Sequence, residues 1–246
     1  MSTPHSSVFA RLAYELCTKP LTCGRILKKR IHEIYRRLYS FYGPQHWWPG
    51  DSPFEVAVGA ILTQNTNWSN VEKAIANLKS AQLLNARAMH NLPAERLASL
   101  IRPSGYFNIK TGRLKAFFAF LMEEYGGSMK RMGRSETGRL RAALLNVHGI
   151  GPETADSILL YALDKPVFVV DVYTRRVLSR HGIIDFRASY DEYQQLFHRV
   201  LDEDAELFNE YHALFVMAGK DYCKPKPRCE ACPLYDNKQS SLQRKI

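Results

Sequence analysis

Hydrophobic positions recur at three- and four-residue steps along most of the chain, and almost none alternate with period two. From Ile26 the apolar residues Ile26, Leu27, Ile31, Ile34, Tyr35, Leu38 and Tyr39 fall on one stripe, which predicts an amphipathic helix. Lys28, Lys29, Arg30, Arg36 and Arg37 lie between them and read as its solvated face. Gly43-Pro44 and Trp48-Pro49-Gly50 mark a loop. Ser52 ahead of Pro53 combines a capping side chain with a first-turn proline, so a second helix starts there. Pro93 fits the first turn of a helix that stops before Pro103, and another runs from Asn108 to Tyr125 and ends at Gly126-Gly127. Further helices are predicted over 134–147, 152–163, 172–181, 189–201 and 203–220. VFVV at 167–170 is the one strand-like run and is too short to found a sheet. The fold class is therefore all-α, with helices packed through short connections. Residues 1–23 read as a weakly patterned N-terminal extension.

Composition narrows what such a bundle does. The 246 residues are 46% hydrophobic and 24% charged, enough for a packed core in one large domain or two small ones. Lys and Arg total 34 against 24 acids, a formal net charge of +10, which favours a polyanionic partner, either nucleic acid or an anionic membrane surface. No apolar run approaches the roughly 18 residues that mark a bilayer span. The start, MSTPHSSVFARLAYELC, lacks the basic opening and apolar middle of a secretion signal. The expected location is cytoplasmic, where five cysteines serve as thiols or metal ligands more readily than as disulfides.

The most informative stretch is LNVHGIGPETADSILLYAL, residues 144–162. Gly149 and Gly151 let a tight turn form and let the backbone approach an external group. Pro152 suits the first position of the next helix. The amides and positive dipole end at that helix start suit an anion such as a DNA phosphate. By itself the pattern also fits an ordinary helix–turn–helix corner. A lone acid, Asp171, follows inside the apolar stretch VFVVDVYTRR. Taken alone, it would suit a cap for the helix from Val172. All three tryptophans, Trp47, Trp48 and Trp68, lie in QHWWPGDSPFEVAVGAILTQNTNW beside Gln64, Asn65 and Asn67. Indole faces either fill a core or stack on a base that has been flipped out of a duplex. A base alkylated on a ring nitrogen is cationic, and a cation over an indole gains about 0.5–2 kcal/mol.

The order helix, G-I-G turn, helix, short connector and Asp in VVDVYTRR resembles the helix-hairpin-helix DNA glycosylase superfamily, which includes endonuclease III. The WWP, LTQNT, RPSGYFNIK, GIGPETADSILLYA and VVDVY segments look most like its 3-methyladenine DNA glycosylase III type, over about Trp47 to Lys220. The resemblance implies that His148, Gly149, Ile150, Gly151 and Thr154 contact DNA at the hairpin and that Asp171 drives glycosidic cleavage. It implies a base pocket of Trp47, Trp48, Pro49, Trp68 and Glu153. Gln64 matches the residue that fills the gap left by the flipped base, and Tyr106 in SGYFN is the candidate second wedge. Bifunctional members carry, two residues after the second glycine, a Lys that attacks the sugar and forms a Schiff base. Glu153 stands there. A carboxylate cannot form an imine, so the resemblance implies a monofunctional enzyme that uses water and has no lyase activity. Glu153 also suits the first turn of a helix simply as an acid.

Cys223, Cys229 and Cys232 are spaced C-x5-C-x2-C, a pattern that signals metal. The resemblance implies the [4Fe-4S] loop of endonuclease III, but the first gap is one residue shorter and Lys238 occupies the fourth ligand position. Asp236, Cys17 or Cys23 could complete the set; a loop without metal and a zinc site are the rivals. The expected architecture has two helical domains with a cleft between them. One is a six-helix domain, 54–163, ending in the hairpin 144–163. The other joins 24–53 to 164–246 and carries the cysteine loop 223–232. The expected function is monofunctional excision of alkylated purines, of the 3-methyladenine type, from double-stranded DNA. Alternatives are an endonuclease III-like glycosylase for an oxidised or mismatched base, and a non-catalytic DNA-binding module. A monomer is expected, with no membrane partner and with a downstream AP endonuclease to process its product.

Overall fold

In a computed structural model, residues 20–235 are described, with side chains from residue 24 onward. Residues 1–19 of the N-terminal extension, including Cys17, lie outside what is described, as do the Cys23 side chain, Asp236 and Lys238; residues 20–23 of that extension already belong to the first helix. Among the described residues every regular element is helical, and VFVV is a buried extended connector. The helices are α1 (Pro20–Tyr42), α2 (Pro53–Leu62), α3 (Trp68–Ser80), α4 (Ala86–Asn91), α5 (Ala94–Ile101), α6 (Phe107–Tyr125), α7 (Met129–Gly133), α8 (Thr137–Leu145), α9 (Pro152–Ser157), α10 (Val172–Arg180), α11 (Tyr190–Val200) and α12 (Ala205–Asp221). The chain divides into two compact units. Among the described residues, one comprises 46–171 and 203–212; the other comprises 20–45, 172–202 and 213–235.

In the unit containing 46–171, α2 is the central helix. Every residue from Phe54 to Leu62 is buried, as an all-round apolar helix requires. The Ser52 side chain accepts the Glu55 amide and starts it. Buried Glu55 in turn accepts the Asp51 amide and pairs with Lys79 at 2.6 Å. Phe117, Phe118, Leu121 and Leu114 of α6 are fully buried in the same unit. Gly126 and Gly127 end α6 in the left-handed region, with the Gly126 amide on the Met122 carbonyl.

Capping groups explain where helices depart from the periodic pattern. The stretch after Pro53 breaks at Leu62 because Asn67 caps a new helix, and Asn85 caps α4. The helix predicted over 134–147 is the shorter α8, 137–145, and a separate helix, α7, precedes the predicted range. Glu136 accepts the amides of Gly138 and Arg139, both at 2.7 Å, and so sets the start of α8. The helix after Pro152 is α-helical only to Ser157 and continues as a π-helical turn, Ile158–Ala162. Such turns often accompany functional sites.

In the other unit α1 buries Ile31, Ile34 and Leu38, while Val177, Tyr193, Phe197 and Phe215 fill the core. Two of the charges expected on a solvated face are instead used internally. Arg30 donates to the carbonyls of His181 and Gly182, and Arg37 to that of Tyr235 at 2.9 Å.

Lys110 is the most unusual core residue. It is 1% exposed, and its Nζ donates to Leu62 O at 2.8 Å and Ser104 O at 2.6 Å. The first carbonyl ends α2 and leads to Gln64; the second leads to Tyr106. One ammonium therefore holds both turns. Burial, with Arg113 adding repulsion, lowers the Lys110 pKa to about 8. Between pH about 8 and the ordinary lysine value near 10.4 the unfolded chain binds the extra proton, so stability rises with pH across that window. Because the buried thiols act with the opposite sign over part of this window, the test is the difference: in urea titrations the stability of wild type should rise with pH more than that of Lys110→Met, which should also be less stable at pH 7. Parallel pH profiles for the two proteins would contradict the assignment.

Candidate active site and nucleic-acid interface

The three tryptophans converge. Trp48 meets Trp68 edge-on at 5.0 Å between ring centroids and Trp47 edge-on at 5.9 Å. The Trp47–Trp48 peptide is cis. Gly59 of α2 lies under this cluster. A Cβ there would stand 3.5 Å from Trp48 Nε1 and 3.6 Å from Trp68 Cη2, so the missing side chain gives the indoles a seat on the helix. Trp68 is tethered by its Nε1, which donates to Glu72 at 3.0 Å. All three indoles are half-buried, and Pro49 is exposed beside them.

A fourth ring joins them that sequence reasoning missed. Tyr161, in the π-helical turn, lies 5.0 Å from Trp48 with its plane tilted by 32°. Its hydroxyl is 2.5 Å from His212 Nδ1, and His212 Nε2 is 3.6 Å from Asp171 Oδ2. Asp171 is 8% exposed and ends the buried VFVV connector; His212, on α12, is 5% exposed. Burial first, then the charges of Asp171 and Glu153, pushes the Tyr161 phenol well above its usual range. Burial lowers the His212 pKa, with Asp171 pulling the other way. A phenol that donates to Nδ1 of a neutral imidazole leaves the ring's remaining hydrogen on Nε2, on the side of the carboxylate. Glu153 is exposed in the first turn of α9, within electrostatic reach of Tyr161.

The hairpin is held from two sides. Asp156, fully buried on α9, takes a bidentate pair from Arg141 of α8 at 2.7 and 3.0 Å. Gln64 Nε2 donates to Gly149 O at 3.1 Å and to Thr154 Oγ1 at 2.8 Å, while Arg113 donates to Gln64 Oε1. Arg113 also packs on the turn itself, since a Cβ on Gly149 would lie 2.2 Å from Arg113 Cγ. Gly149 has φ +81°, so both backbone and packing require glycine. Gly151 differs: its φ is −93°, and an added Cβ would meet nothing within 4 Å. Its small size leaves open space outside the turn.

The other predicted contact residues take distinct places. Ile150 is buried, and its amide donates to Val147 O, so it packs the turn. Thr154 is buried as the acceptor for Gln64, whereas His148 is exposed. Tyr106 is 65% exposed at φ +44°, an uncommon conformation for a non-glycine residue, and Ile109 beside it is 55% exposed.

Cys223, Cys229 and Cys232 line one small pocket with Val177, Ala218 and Leu234. Arg180 donates to Cys223 Sγ at 3.3 Å and to the carbonyls of Lys224 and Pro225. Burial raises both the Cys223 and the Cys232 thiols, the latter to about 11. Among the described residues no three His, Cys, Asp or Glu side chains form a group that could hold a metal ion. As placed, these cysteines do not complete a cluster site.

Helices in this order, with a glycine hairpin leading to a buried carboxylate beside stacked aromatics, define a DNA glycosylase of the helix-hairpin-helix class. The chain belongs to the HhH-GPD superfamily of base excision DNA repair proteins, whose family pattern matches residues 58–203. A Methanocaldococcus jannaschii protein that carries the name DNA repair glycosylase is 48% identical over 206 residues, covering 83% of this chain and 93% of its own. Endonuclease III of Thermotoga maritima is 29% identical over 203 residues, 82% and 89% of the two chains. Among solved structures, Helicobacter pylori 3-methyladenine DNA glycosylase bound to 1,N6-ethenoadenine superposes with a TM-score of 0.69 at 30% identity, covering 77% of this chain and 97% of that one. A trapped endonuclease III–DNA covalent intermediate shares the fold, at a TM-score of 0.74 and 22% identity. Among the described residues no helix is long and apolar enough to cross a membrane.

The two glycines should respond differently to substitution. Gly149→Ala should lose about 1–3 kcal/mol through backbone strain, with further loss from displacement of Arg113. Gly151→Ala should lose less than about 1 kcal/mol. Chemical denaturation checks both, and equal effects would contradict the geometry described.

Proposed function

We propose that the protein is a monofunctional DNA glycosylase that removes alkylated purines, of the 3-methyladenine type, from double-stranded DNA. The single observation that carries this reading is the grouping of Trp48, Trp47, Trp68 and Tyr161 in the same unit as a nearly buried carboxylate. Indole faces attract a cationic base more than a neutral one. A purine alkylated on a ring nitrogen is already a good leaving group, so no strong general acid is required. The remaining work is to stabilise the oxocarbenium-like sugar and admit water. Asp171 does this by charge, and as a general base if water lies within its reach. The likeness to the H. pylori enzyme, named for 3-methyladenine, supports the substrate class.

The DNA contacts proposed are Gly149, Gly151 and His148 at the hairpin, where the open space outside Gly151 suits a phosphate. Ile150 and Thr154 act from within by shaping the turn. Exposed Tyr106 and the latched Gln64 are the two wedge residues, and Pro49 and Glu153 border the base pocket. The product would be an abasic site, left for an AP endonuclease. The protein is read as a monomer in the cytoplasm. An iron–sulfur cluster, where bound, would take Cys223, Cys229, Cys232 and a fourth ligand from outside the described residues. No chemical step is assigned to it.

The endonuclease III relatives favour a second reading, a glycosylase for an oxidised or mismatched base with lyase activity. Glu153 in place of an amine argues against the lyase step. One assay separates the two. On methylated duplex DNA the protein should release 3-methyladenine, with strand breaks appearing only after alkali and no adduct trapped by borohydride. Breaks without alkali, or a trapped adduct, would support the endonuclease III chemistry. No release from any damaged duplex would leave a DNA-binding module. Duplex affinity should fall with salt, because each neutralised phosphate releases counterions.

Substitutions in the pocket should separate by base charge. Trp48→Ala should reduce excision of cationic bases by about 10-fold or more, the loss expected for a stacking worth about 1–3 kcal/mol. It should affect a neutral substrate such as hypoxanthine less. Single-turnover rates on the two substrates check this; equal loss on both would point to a packing role.

A further inference from the structure

His212 has no part in the chemistry proposed above, and its placement is hard to explain by packing alone. The imidazole is 5% exposed, on the first half of α12, in the same unit as Asp171. Its Nδ1 is engaged by Tyr161, while its Nε2 is buried without a hydrogen-bond partner and stands 3.6 Å from Asp171 Oδ2. That distance is longer than a hydrogen bond but short for an uncompensated contact between an N–H and a carboxylate. Buried unsatisfied donors are costly and rare in native proteins, so one aimed at a reactive carboxylate calls for a reason.

We propose that His212, locked by Tyr161, is a positioning residue that holds the Asp171 carboxylate correctly turned and links it to the aromatic pocket. This rests on the glycosylase reading given above. The phenol donates to Nδ1, which fixes the imidazole as the Nε2–H tautomer. The Nε2–H then addresses Oδ2 and sets the rotation of the carboxylate. Closing the gap needs a shift of a few tenths of an ångström, and catalytic hydrogen bonds often tighten only when substrate binds. Tyr161 also stacks on Trp48, so a base entering the aromatic cluster presses on the same ring that orients the imidazole. Recognition of the base and orientation of the carboxylate thus share one residue.

The arrangement carries its own pH dependence. The titratable groups that face His212 are Tyr161 from the π-helical turn and Asp171 from the connector, with Glu153 acting on Tyr161 from the start of α9. A neutral imidazole leaves Asp171 its full charge. A protonated one would pair with Asp171 and cancel the charge that stabilises the sugar cation. Burial lowers the His212 pKa from 6.5, so the loss should come on the acid side as pH falls through that lowered value.

The test is single-turnover release of 3-methyladenine by the full chain from pH about 5 to 8, with duplex affinity measured alongside. His212→Leu should lower the rate about 10–100-fold, as removal of a partner that orients an active group does elsewhere, with affinity unchanged. His212→Gln can still donate to Asp171 but cannot be protonated. It should recover most of the neutral-pH rate and lose the His-dependent acid limb. Tyr161→Phe should fall between them. A folded His212→Leu variant that matches wild type at every pH would overturn the proposal, as would a Gln variant no better than Leu.

A second measurement separates this claim from the glycosylase reading. Nitrogen NMR of His212 in the free protein should show a neutral Nε2–H tautomer at pH 7. Its pKa should fall further in Asp171→Asn, which removes the charge that holds it up. If the wild type releases no base, the glycosylase reading fails and the NMR result alone decides the His212–Asp171 pairing. An Nδ1–H tautomer, or a pKa unmoved by Asp171→Asn, would refute that pairing.

Discussion

A carboxylate buried at the end of an apolar connector is the constraint to which the surrounding structure answers. Removing Asp171 from water is costly unless its charge is met by neighbouring dipoles or by a cation. One neighbour is a buried imidazole, its Nε2 3.6 Å from Asp171 Oδ2 and its Nδ1 2.5 Å from the Tyr161 hydroxyl. That arrangement requires helix α12 to deliver His212 to the same unit as Asp171, and the π-helical turn to set Tyr161 between His212 and Trp48. The low exposure that makes Asp171 expensive also strengthens its field on any positive charge that develops nearby.

The hairpin follows a similar logic at lower cost. Gly149 serves the inside of the turn, where Arg113 packs against it and holds Gln64. Gly151 faces open space. The bidentate pair between Arg141 and the fully buried Asp156 ties α8 to α9 across the turn. Lys110 joins the two loops that lead to Gln64 and Tyr106. Wedge candidates on separate loops are therefore anchored to one core ammonium, which limits how far they can drift apart.

Much of this is legible in the sequence because local signals act locally. Ser52, Pro53 and the Gly126-Gly127 pair mark helix ends by capping chemistry that needs no tertiary partner. The G-I-G turn and the clustered tryptophans carry enough order to identify the superfamily. What escapes is what long-range contact decides. Tyr161 lies in SILLYAL and His212 in NEYHALFV, apolar runs in which a polar tip looks incidental. Their hydrogen bond spans 51 positions, beyond any periodic pattern. Arg113 reads as one more surface charge on an amphipathic helix until its packing on Gly149 is seen. Glu136 is not a usual capping residue, and Asn67 stands among other polar residues, so neither marks a helix start by local pattern alone. Arg30 and Arg37 look solvated because their acceptors are carbonyls far along the chain.

The measurement that tests the central claim most directly is the single-turnover excision rate of Asp171→Asn on duplex DNA containing 3-methyladenine, set against its affinity for the same duplex. Asparagine keeps the shape and removes the charge. If the buried charge does the chemistry, excision should drop by several orders of magnitude while DNA binding and folding remain close to wild type. An Asn variant that excises at the wild-type rate would contradict the account and place the chemistry elsewhere in the pocket.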